Sequence, residues 1–213
     1  MNSTINSLLV IVLMLNLFVL GTSRLRTIIR VVAAQGALLG LAPLLMHEHL
    51  SLPSAGLSLA AIALKAIVIP AMLFRALREA QIKREVEPLI GFIPSMLLGA
   101  LATGFAMVFA AHLPLADQHT APLVVPASLA TVLAGFILLT TRFKAISQVI
   151  GYLVLENGIF IFGLLLVESM PLVVEMGVLL DLFVAIFVIC IIVNHINRAF
   201  SSLDTRLLAE LKE

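Results

Sequence analysis

Long apolar runs dominate the sequence and leave few folds open to it. Runs of roughly 17–25 mainly apolar residues are long enough to cross a bilayer as helices. Of the 213 residues, 62% are hydrophobic and only 12% are charged, whereas about a quarter of the residues in soluble domains are charged. The sequence therefore predicts an all-α, multi-pass membrane protein. Its predicted transmembrane helices number about seven, called spans 1 to 7 here, at 5–22, 27–46, 54–77, 88–112, 122–141, 144–168 and 171–194.

The basic residues predict how these spans are oriented. All but one of the 13 Lys and Arg residues lie in or beside the connections after spans 1, 3 and 5, or in the C-terminal tail. The other connections contain neither residue type. Because cytoplasmic loops are enriched in Lys and Arg, the N-terminus is predicted outside and the C-terminus in the cytoplasm.

Three charged residues lie in the middle of apolar spans: Lys65 in span 3, Glu156 in span 6 and Asp181 in span 7. Each is about 12 residues from the predicted cytoplasmic end of its span, which is roughly 18–20 Å and close to the bilayer midplane. A charge at this depth is costly and usually faces a bundle interior or a water-filled path. These residues are therefore the candidate ion pathway, in which protonation can change as neighbouring charges change.

Polar residues near these charges are weaker candidates for the same pathway. Gln35 is the mid-helix polar residue of span 2, and Gln148 and Tyr152 share a helix face with Glu156. Gln148 and Tyr152 are either an approach for protons or water from the cytoplasm, or hydrogen-bonding contacts between helices.

Two positions predict breaks in the helices beside the charges. Pro70 lacks a backbone N–H and is expected to kink span 3 just cytoplasmic to Lys65, either as a hinge or as a tolerated packing feature. Asn157 and Gly158 favour a local π-bulge or unwound turn beside Glu156. Pro70 and Gly158 are therefore the predicted hinge residues.

Spans 1–3 and 5–7 follow one plan and predict a loose parallel three-helix repeat. Each set has a first span, a basic connection, a second span with a mid-helix polar residue, an outer loop without Lys or Arg, and a third span with a central charge. Parallel repeats occur in transporters. The predicted division is a four-helix transmembrane part at 1–121, a three-helix transmembrane part at 122–200 and a cytoplasmic amphipathic tail at 201–213.

Enzymatic and nucleic-acid-binding functions have no support in the sequence. It contains no Gly-rich nucleotide loop, paired-cysteine motif or nucleophile elbow. His47 and His49 flank Glu48 but lack a third spaced ligand, and the single Cys190 is expected to be a buried filler. No catalytic residue, metal or cofactor is predicted, and a net charge of +1 predicts no nucleic-acid partner.

Two stretches resemble a known family. TTRFKAISQVIGYLVLENG and VVEMGVLLDLFVAIFVICIIVNHINRAF are similar to the three-helix K subunit of respiratory complex I. Glu156, preceded by Leu155, matches the first mid-membrane acid of that subunit, and Asp181 matches the second with Asp in place of Glu. With the Gln35 span and the spacing of Lys65 to Pro70, most of the chain resembles the E component of hydrogenase-4-type membrane complexes.

The resemblance implies a non-catalytic subunit of an oxidoreductase complex, hydrogenase or formate hydrogenlyase-like, in the prokaryotic cytoplasmic (inner) membrane. The implied partners are antiporter-like membrane subunits, a membrane-anchor subunit, lipid and, indirectly, a soluble hydrogenase or dehydrogenase arm. The buried charges would belong to a hydrophilic axis for proton or sodium translocation. Two alternatives stay open: a scaffold that only joins larger subunits, and an independent small ion transporter.

Overall fold

The elements of secondary structure are all helices in the part of the chain that the computed structural model describes, residues 2–46, 56, 59, 62–79, 88–113, 123–164 and 177. In chain order they are α1 (Asn2–Gly21), α2 (Leu25–Met46), a π-helical turn (Leu64–Val68) that continues directly into α3 (Ile69–Glu79), α4 (Phe92–Ala111), α5 (Val124–Thr141) and α6 (Ala145–Gly163).

Five of these helices, α1, α2, α4, α5 and α6, are long and apolar enough to cross a membrane. They coincide with predicted spans 1, 2, 4, 5 and 6. Span 3 is described at residues 56 and 59 and from residue 62 onward, and span 7 only at Gly177. Asp181, Cys190, the His47–His49 stretch and the tail at 201–213 lie outside the described residues. The count of seven spans and the orientation therefore stay predictions.

Glycines allow α5 and α6 to pack as a close antiparallel hairpin. A Cβ atom on Gly135 would lie 2.5 Å from the backbone nitrogen of Leu155, and one on Gly158 would lie 2.6 Å from that of Val132. Only a hydrogen fits at such positions, so the two backbones are in contact. Gly158 thus serves packing. The helix α6 is regular through Asn157 and Gly158, so the π-bulge predicted there is wrong.

A second close approach joins α2 to the helix that carries the π-helical turn. A Cβ on Gly40 would lie 2.3 Å from Ile62 Cγ1, and one on Gly36 would lie 3.1 Å from Lys65 Cβ. The spacing of the two glycines presents one smooth strip of α2, as in other membrane helix pairs that pack through small residues four positions apart. Lys65 therefore lies directly against Gly36.

The π-helical turn has a local cause in the proline that follows it. Pro70 has no N–H, and in a regular α-helix its ring would clash with the carbonyl group of Ala66. Before it, the N–H of Ile69 donates to the carbonyl oxygen of Leu64, five residues back, which widens the turn. The sequence placed an irregularity just beyond Lys65, whereas the π-helical turn includes Lys65 itself.

One end of the bundle is held together at the start of α4 and the connection between α5 and α6. The N–H of Leu89 donates to the carbonyl oxygen of Thr141 at 2.9 Å. Arg142 Nη2 donates to the carbonyl oxygen of Leu20 at 3.0 Å, and the guanidinium carbon lies 4.6 Å from the centroid of the Phe92 ring. Arg142 thus fastens three helix ends, and these are the ends that the sequence assigns to the cytoplasm.

Candidate functional site

A layer of polar side chains crosses four helices between two apolar clusters. One cluster contains Val19, Leu20 and the first turns of α2 and α6. The other contains the first half of α1, Leu39 and Ile161. On each of α1, α2, α5 and α6 the polar residues fall between these clusters, which places the layer near the middle of these helices. Its buried members are Asn16, Gln35, Thr131, Glu156 and Asn157.

Lys65 and Glu156 form an ion pair in this layer. Lys65 Nζ lies 3.2 Å from Glu156 Oε1, and the two side chains are 12% and 6% exposed. The contact brings together two residues that the sequence predicted at one depth, and their depth in the membrane stays a prediction. The ring of Phe160, one turn along α6 from Glu156, lies 5.2 Å from Lys65 Nζ and adds an attraction for the cation.

The pair borders a small pocket whose other walls are mostly apolar, lined by Val32, Gly36, Lys65, Ile69, Leu153, Glu156 and Asn157. In such surroundings the attraction between opposite charges is strong, and it offsets the cost of removing each charge from water. The pair can hold its proton in two ways: on Lys65, with both groups charged, or on Glu156, with both neutral. A change of charge nearby shifts the balance between these forms.

Next to the ion pair, a chain of hydrogen bonds connects four helices. Asn157 Nδ2 donates to Gln35 Oε1 at 3.4 Å, and Gln35 Nε2 donates to Asn16 Oδ1 at 2.9 Å. Asn16 Nδ2 then donates to Thr131 Oγ1 at 2.9 Å, and that hydroxyl donates to the carbonyl oxygen of Ala127 at 2.6 Å. Every amide therefore donates in the same direction, from α6 through α2 and α1 to α5.

The other predicted pathway residues lie in different surroundings. Gln35 is fully buried within the chain of amides. Gln148 is exposed and donates from Nε2 to the carbonyl oxygen of Arg142, the residue that follows the last turn of α5, at 3.3 Å. Tyr152 is half-buried and packs against the apolar cluster on that side of the layer. A path along these two residues to Glu156 stays a prediction.

Several site residues were missed in the sequence. Asn16 could have been found, because a lone amide in the apolar run LMLNLFVL signals a buried hydrogen bond between helices. Thr131 had no such signal, since a membrane threonine commonly bonds to its own helix, as Thr103 does to the carbonyl oxygen of Gly99. Arg142 was counted as a loop charge, but it is 4% exposed.

Comparison with known proteins finds relatives along most of the chain. The chain is 37% identical over 195 residues to the uncharacterized protein Rv0085 of Mycobacterium tuberculosis, covering 89% of this chain and 87% of that protein. It is 27% identical over 150 residues to hydrogenase-4 component E of Escherichia coli K12, covering 70% and 68%, and equally to that component of Shigella flexneri.

No family model matches the chain, and no solved structure matches it. The evidence for kinship is therefore the sequence identity itself. At 37% identity over nearly the whole of both proteins, the chain belongs to the family of the Mycobacterium tuberculosis protein Rv0085.

Proposed function

We propose that this protein is a non-catalytic integral membrane subunit of a complex I-like or hydrogenase-4-type energy-converting complex. In this proposal it lies in the prokaryotic cytoplasmic (inner) membrane beside antiporter-like and membrane-anchor subunits. Its buried charges contribute to proton or sodium translocation, which is driven by redox chemistry in other subunits. The similarity to hydrogenase-4 component E supports membership of such a complex.

The observation that carries the translocation role is the ion pair between Lys65 and Glu156. A scaffold held together by apolar packing has no need of charges in mid-membrane, where each costs about 3 kcal/mol to insert. A pair that can exchange one proton responds to charge in neighbouring subunits, and it can pass that response on. Asp181 is proposed as the third member of this set.

Helix pairing supports the parallel repeat as part of this proposal. Helix α1 packs against α5, and α2 packs against α6, so the first and second helices of each repeat meet their counterparts. The hydrogen bonds from Asn16 to Thr131 and from Asn157 to Gln35 join these counterparts near mid-membrane. The site then lies where the two repeats meet, as in other transporters built from repeats.

A structural role is the second candidate, and the close packing around the pair favours it. Gly36 and Gly40 hold Lys65 tightly against α2, and a closed ion pair can serve only to join helices. In that case the charges matter for assembly of the complex and not for ion movement.

The double variant Lys65→Gln with Glu156→Gln separates the two candidates. Removing one charge leaves the other buried and unpaired, which is strongly destabilising, whereas removing both avoids this penalty. We expect the double variant to assemble, as judged by a blue-native gel of the complex. We also expect it to lose most of the ion pumping coupled to the redox reaction in membrane vesicles.

Arg78→Gln is the matched control, because it removes an exposed charge at the end of α3. It should leave assembly and pumping unchanged. Normal pumping by an assembled double variant would refute the translocation role. A double variant that fails to assemble while Arg78→Gln assembles would support the scaffold role.

A further inference from the structure

The hydrogen-bonded chain beside the ion pair has one direction along its whole length. Three amides donate in turn, from Asn157 to Gln35, from Gln35 to Asn16 and from Asn16 to Thr131. An amide has an oxygen at one end and a nitrogen at the other, so turning one of them over obliges its neighbours to turn over as well. The chain of hydrogen bonds can therefore donate in either of two directions, and a group at one of its ends must select the direction observed.

The end of the chain at α5 selects that direction. The hydroxyl of Thr131 donates a hydrogen bond to the carbonyl oxygen of Ala127 at 2.6 Å. The hydroxyl oxygen is therefore left to accept a hydrogen bond from Asn16. Both residues are buried, where an N–H group without an acceptor is rarer and more costly than a carbonyl oxygen without a donor. The hydroxyl thus supplies the acceptor that the last amide nitrogen needs.

At the other end, Asn157 lines the pocket that contains the ion pair. Its Nδ2 is turned to Gln35, and its Oδ1 is the other end of the same amide. An amide oxygen is the negative end of a dipole. It favours an ammonium group or a protonated carboxyl beside it and disfavours a carboxylate.

We propose that Thr131 is a positioning residue for the ion pair. Through the chain of amides, its hydroxyl keeps the nitrogen of Asn157 turned away from Glu156 and presents the oxygen instead. The protonation of a carboxyl group on α6 is thereby set by a hydroxyl on α5, two helices away along the chain of bonds. This inference deepens the proposed function, and its importance for ion movement rests on that function.

Few titratable groups face Glu156 in the described part of the chain. Lys65 faces it from the π-helical turn, and Tyr152 precedes it by one turn on α6. The residues that α2 contributes to the pocket, Val32 and Gly36, carry no charge, and the nearby side chains of α1 and α5 are Asn16 and Thr131. The direction of the chain can therefore be tested without changing any charge.

The test is Thr131→Val in the full chain, reconstituted in lipid nanodiscs. Valine has nearly the same shape as threonine but accepts no hydrogen bond, so Asn16 loses its acceptor. Each amide in the chain of hydrogen bonds should then turn over, which reverses the direction of donation. Asn157 then turns its nitrogen to the pocket and stabilises the carboxylate. Infrared spectroscopy over a range of pH follows the carboxyl band of Glu156, which is assigned by its loss in Glu156→Gln.

We expect the proton affinity of Glu156 to fall about tenfold in Thr131→Val, which is a shift of about one pH unit in its protonation midpoint. Thr131→Ser keeps the hydroxyl and should restore the original midpoint. Thr103→Val is the matched control, because it removes a hydroxyl that bonds only to the carbonyl oxygen of Gly99 among the described contacts. It should change nothing.

A midpoint in Thr131→Val that equals the control, or that rises, overturns the proposal. If Thr131→Val does not fold, Asn16→Leu takes its place, since it removes the acceptor of Gln35 and predicts the same fall. The experiment measures the proton affinity of Glu156 in the protein alone, outside any complex. A negative result here therefore leaves the translocation role standing, and unchanged pumping in the complex leaves this positioning role standing.

Discussion

Two cations inside the helix bundle, one partly buried and one buried, show how differently this protein uses positive charge. Lys65 lies in the polar layer, where the carboxylate of Glu156 is 3.2 Å away. Arg142 lies at the helix ends, and its partners are the carbonyl oxygens of Leu20 and Ile90 at 3.0 and 3.5 Å. An aromatic ring lies near each cation, Phe160 for Lys65 and Phe92 for Arg142. The difference is therefore in the partner.

The partner determines what each cation can do. Backbone carbonyl groups cannot take up or release a proton, so the contacts of Arg142 with these two oxygens stay the same at any pH at which the protein is folded. Its positive charge also suits the C-terminal end of α1. A carboxylate can be protonated, so the contact of Lys65 can change. The first arrangement is a fixed fastener, and the second is a contact with two states.

The largest expected effect that separates them is the loss of Arg142. Arg142→Leu leaves the carbonyl oxygens of Leu20 and Ile90 without their charged donor, and we expect a loss of about 3 kcal/mol in the free energy of unfolding. Arg142→Lys should recover only part of it, because an ammonium group cannot reproduce the planar fork of the guanidinium. Chemical unfolding in detergent micelles, followed by circular dichroism, measures both.

The same measurement on Lys65→Met sharpens the comparison. The loss in Lys65→Met should be largely recovered when Glu156→Gln is added, since both charges are then gone. The contacts of Arg142 with Leu20 and Ile90 offer no such compensation, because their acceptors are backbone carbonyl oxygens that no substitution removes. A double variant as unstable as Lys65→Met alone would show that the lysine, too, is held mainly by contacts other than the carboxylate.

A smaller effect is expected where Lys65 rests on α2. In Gly40→Ala the new Cβ would lie 2.3 Å from Ile62 Cγ1, so the helix with the π-helical turn must move outward. We expect a loss of about 2 kcal/mol and greater accessibility of Lys65 to amine-reactive reagents. Gly104→Ala is the control, because nothing lies within 4 Å of its added Cβ. Equal labelling of Lys65 in both variants would contradict the idea that packing against α2 shields Lys65.

The smallest effect concerns the aromatic rings. Phe92→Leu and Phe160→Leu each remove one cation–π contact while keeping an apolar side chain, and we expect losses of about 0.5–1 kcal/mol. The loss in Phe92→Leu should not depend on pH, whereas that in Phe160→Leu should shrink under conditions that neutralise Lys65. Unfolding curves at several pH values measure both. A pH-independent loss for both rings would remove this distinction between the cations.

The apolar runs predicted the positions of five membrane helices closely, because length and hydropathy determine them locally. Lys65 and Glu156 could be paired by depth for a similar reason, since helical rise converts position in the sequence into height in the membrane. Asp181, their predicted companion, lies outside the described residues. Depth in the membrane does not determine which neighbouring helix a given face points toward. The sequence therefore could not show which helix packs against the face that carries Gln148, Tyr152 and Glu156.

The chain of amides could not be predicted because it depends on contacts between helices far apart in sequence. Asn16 and Thr131 are joined across 115 residues, and neither has a spacing motif that reveals the other. The π-bulge predicted beside Glu156 is wrong for a different reason. The prediction treated Gly158 as a source of flexibility, whereas Gly158 is a point of contact between α5 and α6.

The separation of the ion pair along the chain also bears on how the protein is made. Lys65 precedes Glu156 by roughly 90 residues, so at about 5–20 residues per second it is synthesised several seconds or more before its partner. Until α6 arrives, the lysine lacks the carboxylate of Glu156. Completion of the ion pair thus requires that α6 has been inserted, and a product truncated before α6 lacks the carboxylate that pairs with Lys65.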